Sequence, residues 1–178
     1  SNPPIPQWRY ELNVADVTEA LFFIDNEVVG GFGLNLKTDT WRVCDLPLSG
    51  DAVCDGGLDL AENTELDPIR IFAAPEFIGV EEVGLVTDEV QALYGLTSDS
   101  PYASVRYEIE LQPGLRQANS ISITLGDLTP DGTGMYAMAN EQADVVVVDA
   151  EWGKQIREIF DLPANLAAAE PVTAEPAG

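Results

Sequence analysis

From Val105 to Leu111 apolar and charged side chains take turns without a break. Val105, Tyr107, Ile109 and Leu111 fall on one side, and Arg106, Glu108 and Glu110 on the other. A period of two puts neighbours on opposite faces of an extended ribbon, so the stretch predicts a strand with one face inward. Pro101 forces Ser100 into extended geometry and launches it. Ile121, Ile123 and Leu125 repeat the alternation, and Met135–Ala139 and Val145–Val148 predict two further strands. The all-valine run implies burial on both faces and hence a central place in a sheet. Asp149 then reads as the cap of a helix whose apolar residues, Trp152, Ile156, Ile159 and Phe160, recur at helical spacing.

The first half has a similar character. Thr18–Asp25 is rich in strand formers and ends at the turn-prone pair Asp25-Asn26. In the next run Phe32, Leu34 and Leu36 oppose Gly33, Asn35 and Lys37, and the glycines at 30, 31 and 33 predict a bulge or a close neighbour. Trp41–Cys44 completes a three-stranded meander. From Asp45 to Asp67 there are seven acids and no Lys or Arg, and the segment reads as a loop with at most one turn of helix. Asp67-Pro68 predicts a short helix carrying Ile69, Phe72 and Ala73. An irregular piece with Phe77, Ile78 and Val80 follows. A second helix starts at Thr87, buries Val90, Leu93 and Tyr94, and stops at Gly95.

These elements predict an α+β fold, an antiparallel sheet from two meander-like halves with a few short packed helices. The expected organisation is an extended lead-in over 1–16, one domain over 17–162 with halves of about 17–96 and 97–162, and a flexible Ala/Pro/Glu tail over 163–178. The chain starts with Ser, and Ser1-Asn2 read as a tag remnant left after trimming.

Charge narrows the partners. Thirty-one acids against eight Lys and Arg give a net charge of −23. Such a surface repels phosphate backbones and anionic lipid headgroups, so no nucleic-acid partner is expected, while a basic protein surface or a cation is favoured. The chain has no His, which removes the commonest general base and transition-metal ligand. No G-x-S-x-G, P-loop or G-x-G-x-x-G is present, and no cofactor is expected. A carboxylate pair could hydrolyse a glycoside, but among 31 acids some pair always lies at a suggestive distance. Trp41, Tyr107, Tyr136 and Trp152 fall on inward positions and read as core.

Two sites remain. Cys44 and Cys54 form a disulfide if the protein is exported, or stay as two thiols if it is cytosolic. Asp51, Asp55, Asp59 and Glu62 supply oxygens for a calcium ion, although they lack EF-hand spacing. Asp127 and Asp131 are weaker candidates, because Pro-Asp-Gly at 130–132 is already explained as turn chemistry.

The succession L-N-L-K-T-D-T-W-R-V, D-E-V-Q-A-L-Y-G-L, P-Y-A-S-V-R-Y-E-I-E-L, I-T-L-G-D-L-T-P-D-G-T-G-M-Y-A-M and V-V-V-V-D resembles the bacterial family known as domain of unknown function 4340, over roughly Val17 to Leu162. The resemblance implies an exported protein held by an N-terminal membrane helix, in some cases beside ABC transporters of the gliding-motility type. It implies no catalytic residues. The expected function is a non-catalytic extracytoplasmic interaction or scaffolding domain of a membrane-anchored protein, with a protein partner. The alternative is a module that binds calcium or a small ligand through the acidic loop 45–67.

Overall fold

The structure, a computed structural model, describes residues 14–35, 37–48, 54, 56–60, 77–81, 87–139 and 145–169, with the backbone alone at 14, 77–81 and 169. Among the described residues its centre is one antiparallel sheet of nine strands. These are β1 (Val17–Ile24), β2 (Glu27–Asn35), β3 (Thr40–Cys44), β4 (Gly57–Asp59), β5 (Phe77–Glu81), β6 (Tyr102–Gln112), β7 (Leu115–Leu128), β8 (Gly134–Ala139) and β9 (Val145–Asp149). Their spatial order is β4-β3-β2-β1-β6-β7-β8-β9-β5. Two meanders thus run outward in opposite directions from a central β1–β6 pair, and the architecture is α+β. Among the described residues three α-helices accompany the sheet: α1 (Asp88–Leu93), α2 (Ala150–Ile159) and α3 (Leu162–Ala169). Among the described residues no helix is long and apolar enough to cross a membrane.

Local chemistry sets the meander register. Asp25 and Asn26 both adopt positive φ, 51° and 62°, as a two-residue hairpin turn between β1 and β2 requires. Short polar residues tolerate that region best. The glycine-rich part of β2 meets both expectations for it. The register slips at Phe22/Phe23, and each glycine has a close neighbour. A Cβ at Gly30 would lie 3.2 Å from the Pro163 ring of α3, and one at Gly33 would lie 2.8 Å from the Cys54 sulfur.

One face of the sheet carries the main core. Phe22, Phe32, Val105, Ile123 and Val146 are buried there against Trp152, Ile156, Ile159 and Phe160. The Asp149 carboxylate accepts from the Glu151 and Trp152 amides, satisfying two orphan donors of the α2 N-terminus. α2 packs on β8 and β9, and α3 on β2 and β3. The opposite face holds a smaller cluster of Leu96, Met138 and Val145 with Tyr94 and Tyr136. β9 lies between β8 and β5 with valines buried on both faces, as an inner strand should.

Several expectations need correction. The acidic loop contains a strand, β4, paired with β3 through Arg42↔Asp59. Phe77–Glu81 is a strand, β5, paired with β9, so a segment of the first half closes the edge of the second. Residues 163–169 belong to helix α3, where a tail was expected. Leu93 is 78% exposed and Val90 and Tyr94 are only half-buried, because the six-residue α1 buries none of its residues and only Tyr94, at its end, packs on the small cluster of Leu96, Met138 and Val145. Ile109 and Leu111, expected to face inward, are both exposed, Leu111 to 56%, and Leu111 sits at a register shift between Glu110 and Gln112. Here the strand has outrun its cover. β1 pairs with β6 only as far as Tyr107. The helix expected from Asp67 lies outside the described residues, as do Leu36, most of the lead-in and the end of the tail.

Candidate functional site

Three places on the molecule hold chemistry that the core does not use. The first is a cavity of about 570 Å³ on the face away from α2 and α3. Its floor follows from strand register. Tyr102 pairs with Thr124, and Thr124 with Met138, so the three side chains form a row across β6, β7 and β8. Phe23 continues the row on β1 and pairs with Tyr102. The two rings stack with centroids 4.4 Å apart and planes within 4°. Phe23 therefore covers one face of the Tyr102 ring, and Tyr102 itself lines the cavity.

The walls are equally determined. On one side stands the β1–β2 turn, where Asn26 Oδ1 accepts from the Tyr102 hydroxyl at 3.4 Å. On the other stand Asp88 and Gln91 of α1 and the loop 96–100. That loop is closed by its own side chains. The Thr97 amide donates to Ser100 Oγ at 2.8 Å, and the Ser100 hydroxyl donates to the Gly95 carbonyl at 2.8 Å. The Asp25 amide ties the turn to the loop by donating to the Asp99 carbonyl at 3.3 Å. Gly95 adopts φ +73°, and a Cβ there would strike the Asp127 carboxylate, so α1 is terminated in a fixed direction.

The second place is the cysteine pair. Cys44 and Cys54 are joined in a disulfide, with Cα atoms 5.2 Å apart. It lies over Gly31 and Gly33 of β2, and the Cys54 amide donates to the Glu19 carboxylate at 3.1 Å. Of the four calcium candidates, Asp59 sits on β4 with its carboxylate 3.7 Å from Arg42 Nε. Asp51, Asp55 and Glu62 lie outside the described residues. Among the described residues no three His, Cys, Asp or Glu side chains gather as a metal site. Asp131 is committed to its own loop. Its Oδ1 accepts from Thr129 Oγ1 at 2.7 Å, Thr133 Oγ1 at 2.9 Å and the Thr133 amide at 3.1 Å.

Those three donors, with the Thr129 hydroxyl the largest influence, hold the Asp131 carboxyl below the ordinary aspartate value. A lowered folded-state pKa means the loop contacts contribute fully above the unfolded-chain value. They are lost as pH falls through the lower folded value. An NMR titration following the Thr133 amide should show its midpoint at a lower pH than a free aspartate. A midpoint at or above the free value would mean that the carboxylate is not held in this way.

The third place is the outer end of the β6–β7 hairpin. Glu108–Gln112 of β6 extends beyond the residues paired with β1, and β7 pairs with β8 only from Ile123 onward. Among the described residues the hairpin end is therefore a two-stranded ribbon with both outer edges unpaired. It carries Ile109, Leu111 and Leu115, with Leu115 53% exposed. Around them stand Glu110 and the Arg116–Glu108 ion pair, 3.3 Å apart.

The cavity and the ribbon both escaped sequence reasoning. The ribbon had a signal, since β6 and β7 are longer than their neighbours. The cavity's signal was faint: the outward positions Ser104, Ser122 and Thr124 carry hydroxyls where Arg106 and Glu108 carry charge. Chain order does not show that Thr124 stands beside Tyr102 and Met138. Compared with protein-family models, curated proteins and solved structures, the chain matches none of them.

Proposed function

We propose that this chain is a non-catalytic, extracytoplasmic interaction domain of a membrane-anchored bacterial protein. The observation that carries the reading is the β6–β7 ribbon, which presents leucines and an isoleucine where monomeric proteins place polar residues. Natural sheets blunt such edges with charge, and here Glu108, Glu110 and Arg116 flank the apolar tip without covering it. The partner best matched is a protein with an apolar patch bordered by Lys and Arg, given the net charge of −23. The disulfide supports an oxidising compartment. The resemblance to domain of unknown function 4340 supports an anchored protein accessory to an ABC transporter.

A photo-crosslinking residue placed at Leu115 in the living cell of origin tests this reading. Discrete adducts are expected from Leu115 and not from Glu158, an exposed position on α2. They should disappear in Leu111→Asp, whose melting should be unchanged because Leu111 is not core. Equal labelling from Leu115 and Glu158, or none from either, would sink the proposal.

A further inference from the structure

We propose that the cavity floored by Tyr102, Thr124 and Met138 is a binding site for a neutral saccharide. The site stands apart from the β6–β7 ribbon. Tyr102 begins β6 and Gln112 ends it, which separates cavity and tip by roughly 33 Å of strand. The saccharide reading therefore does not depend on the ribbon's having a partner.

The chemistry of the walls selects the ligand class. Thr97, Ser98, Ser122 and Thr124 bring hydroxyls, and Asn26 and Gln91 bring carboxamides. Each of these groups both donates and accepts hydrogen bonds. Sugar hydroxyls have the same dual character, so either partner can reorient to satisfy the other. Among the described residues no Lys or Arg lines the cavity, and the chain as a whole is strongly acidic. Phosphates, sulfates and carboxylates would meet the repulsive field of a chain with a net charge of −23. Among the described lining residues Asp88 is the charged one, and it adds an acceptor.

The apolar part of the lining fits as well. A pyranose has one face rich in C–H groups, whose weakly positive hydrogens suit the negative face of an aromatic ring. Tyr102 lines the cavity and is held in place, since Phe23 stacks on one side and its hydroxyl reaches Asn26. Leu96 and Met138 extend the apolar surface beside it. The volume, about 570 Å³, falls within the ordinary range for small-molecule sites. The rim loop is braced by the Thr97–Ser100–Gly95 hydrogen bonds before any ligand arrives, which limits the ordering cost of binding.

Titration of the labelled protein by amide NMR tests the assignment. The probes are the methyl glycosides of glucose, galactose, mannose and N-acetylglucosamine, then cellotetraose and maltotetraose, with tetramethylammonium chloride as a cationic control. At least one saccharide should shift the Thr97, Ser122 and Thr124 amides saturably. A response to a methyl glycoside supports a site for one sugar unit, and a response to a tetrasaccharide alone supports a site that reads a chain. Thr124→Val and Asn26→Gly should each weaken that binding roughly tenfold, the loss of one hydrogen-bonding group. Glycine suits the positive φ of Asn26, so the hairpin turn survives the second substitution. The inference is overturned if none of the saccharides moves those amides, if tetramethylammonium alone does so, or if neither substitution weakens the response.

Discussion

Replacing Phe22 with alanine should lower stability by about 3–5 kcal/mol, the largest loss expected from a single side chain in this protein. Phe22 is wholly buried on β1, a central strand of the sheet. Its cross-strand neighbours are Gly30 on β2 and Ala103 on β6. Both are small, and the phenyl ring fills the space they leave. It stacks on Phe160 at 4.9 Å and meets Phe32 edge-on at 6.2 Å. The cost of a truncation depends on how far its surroundings can collapse. Neither Gly30 nor Ala103 has atoms to swing into the gap, and Phe160 is held at the end of α2. The cavity should therefore persist and the loss fall high in the range. Urea unfolding with an unchanged m-value is the measurement. Leu93→Ala, on the exposed side of α1, serves as the control and should stay within about 0.5 kcal/mol of the parent. A Phe22→Ala loss below about 1 kcal/mol would mean that Phe22 is not packed as described.

The same residues show why parts of this fold can be read from sequence and others cannot. Periodicity reports whether a side chain has an inside and an outside, and it served well wherever the inside was the helix-covered face. Val105, Ile121, Ile123 and the α2 residues Trp152, Ile156, Ile159 and Phe160 are buried where their spacing put them. Periodicity does not report where the cover ends. Ile109 keeps the phase of Val105 but lies past the last β1 partner, and Leu111 falls at a register shift between Glu110 and Gln112, so the same pattern gives core at one end of β6 and exposed surface at the other. β5 was missed for a related reason, because its place is set by pairing with β9, far along the chain. The cavity is the extreme case. Tyr102, Thr124 and Met138 come from three strands, and only the register of β6, β7 and β8 makes them neighbours. The cysteines were legible as a choice between a disulfide and two thiols, but nothing in their spacing placed them above glycines of another strand.

That placement yields the second large effect. Reducing the disulfide, or replacing both cysteines with alanine, should cost roughly 2.5–3 kcal/mol on the chain-entropy estimate for a loop of this length. The entropy argument alone would make the bridge indifferent to what lies beneath it, and the structure says otherwise. A Cβ on Gly33 would stand 2.8 Å from the Cys54 sulfur, 3.0 Å from its Cβ and 3.1 Å from its carbonyl oxygen. The bridge is thus seated on a strand that has no side chain at that point. Gly33→Ala should destabilise the oxidised protein by about 1–3 kcal/mol, as overpacking does. Without the sulfur the nearest obstacle is gone, and residue 54 is no longer tied to residue 44. Gly33→Ala should then cost less in the Cys44→Ala/Cys54→Ala background than in the parent, with a coupling of roughly 0.5–3 kcal/mol. A four-member cycle of urea titrations measures it. Additivity within about 0.5 kcal/mol would show that the disulfide does not rest on Gly33, and would leave loop closure as its only contribution.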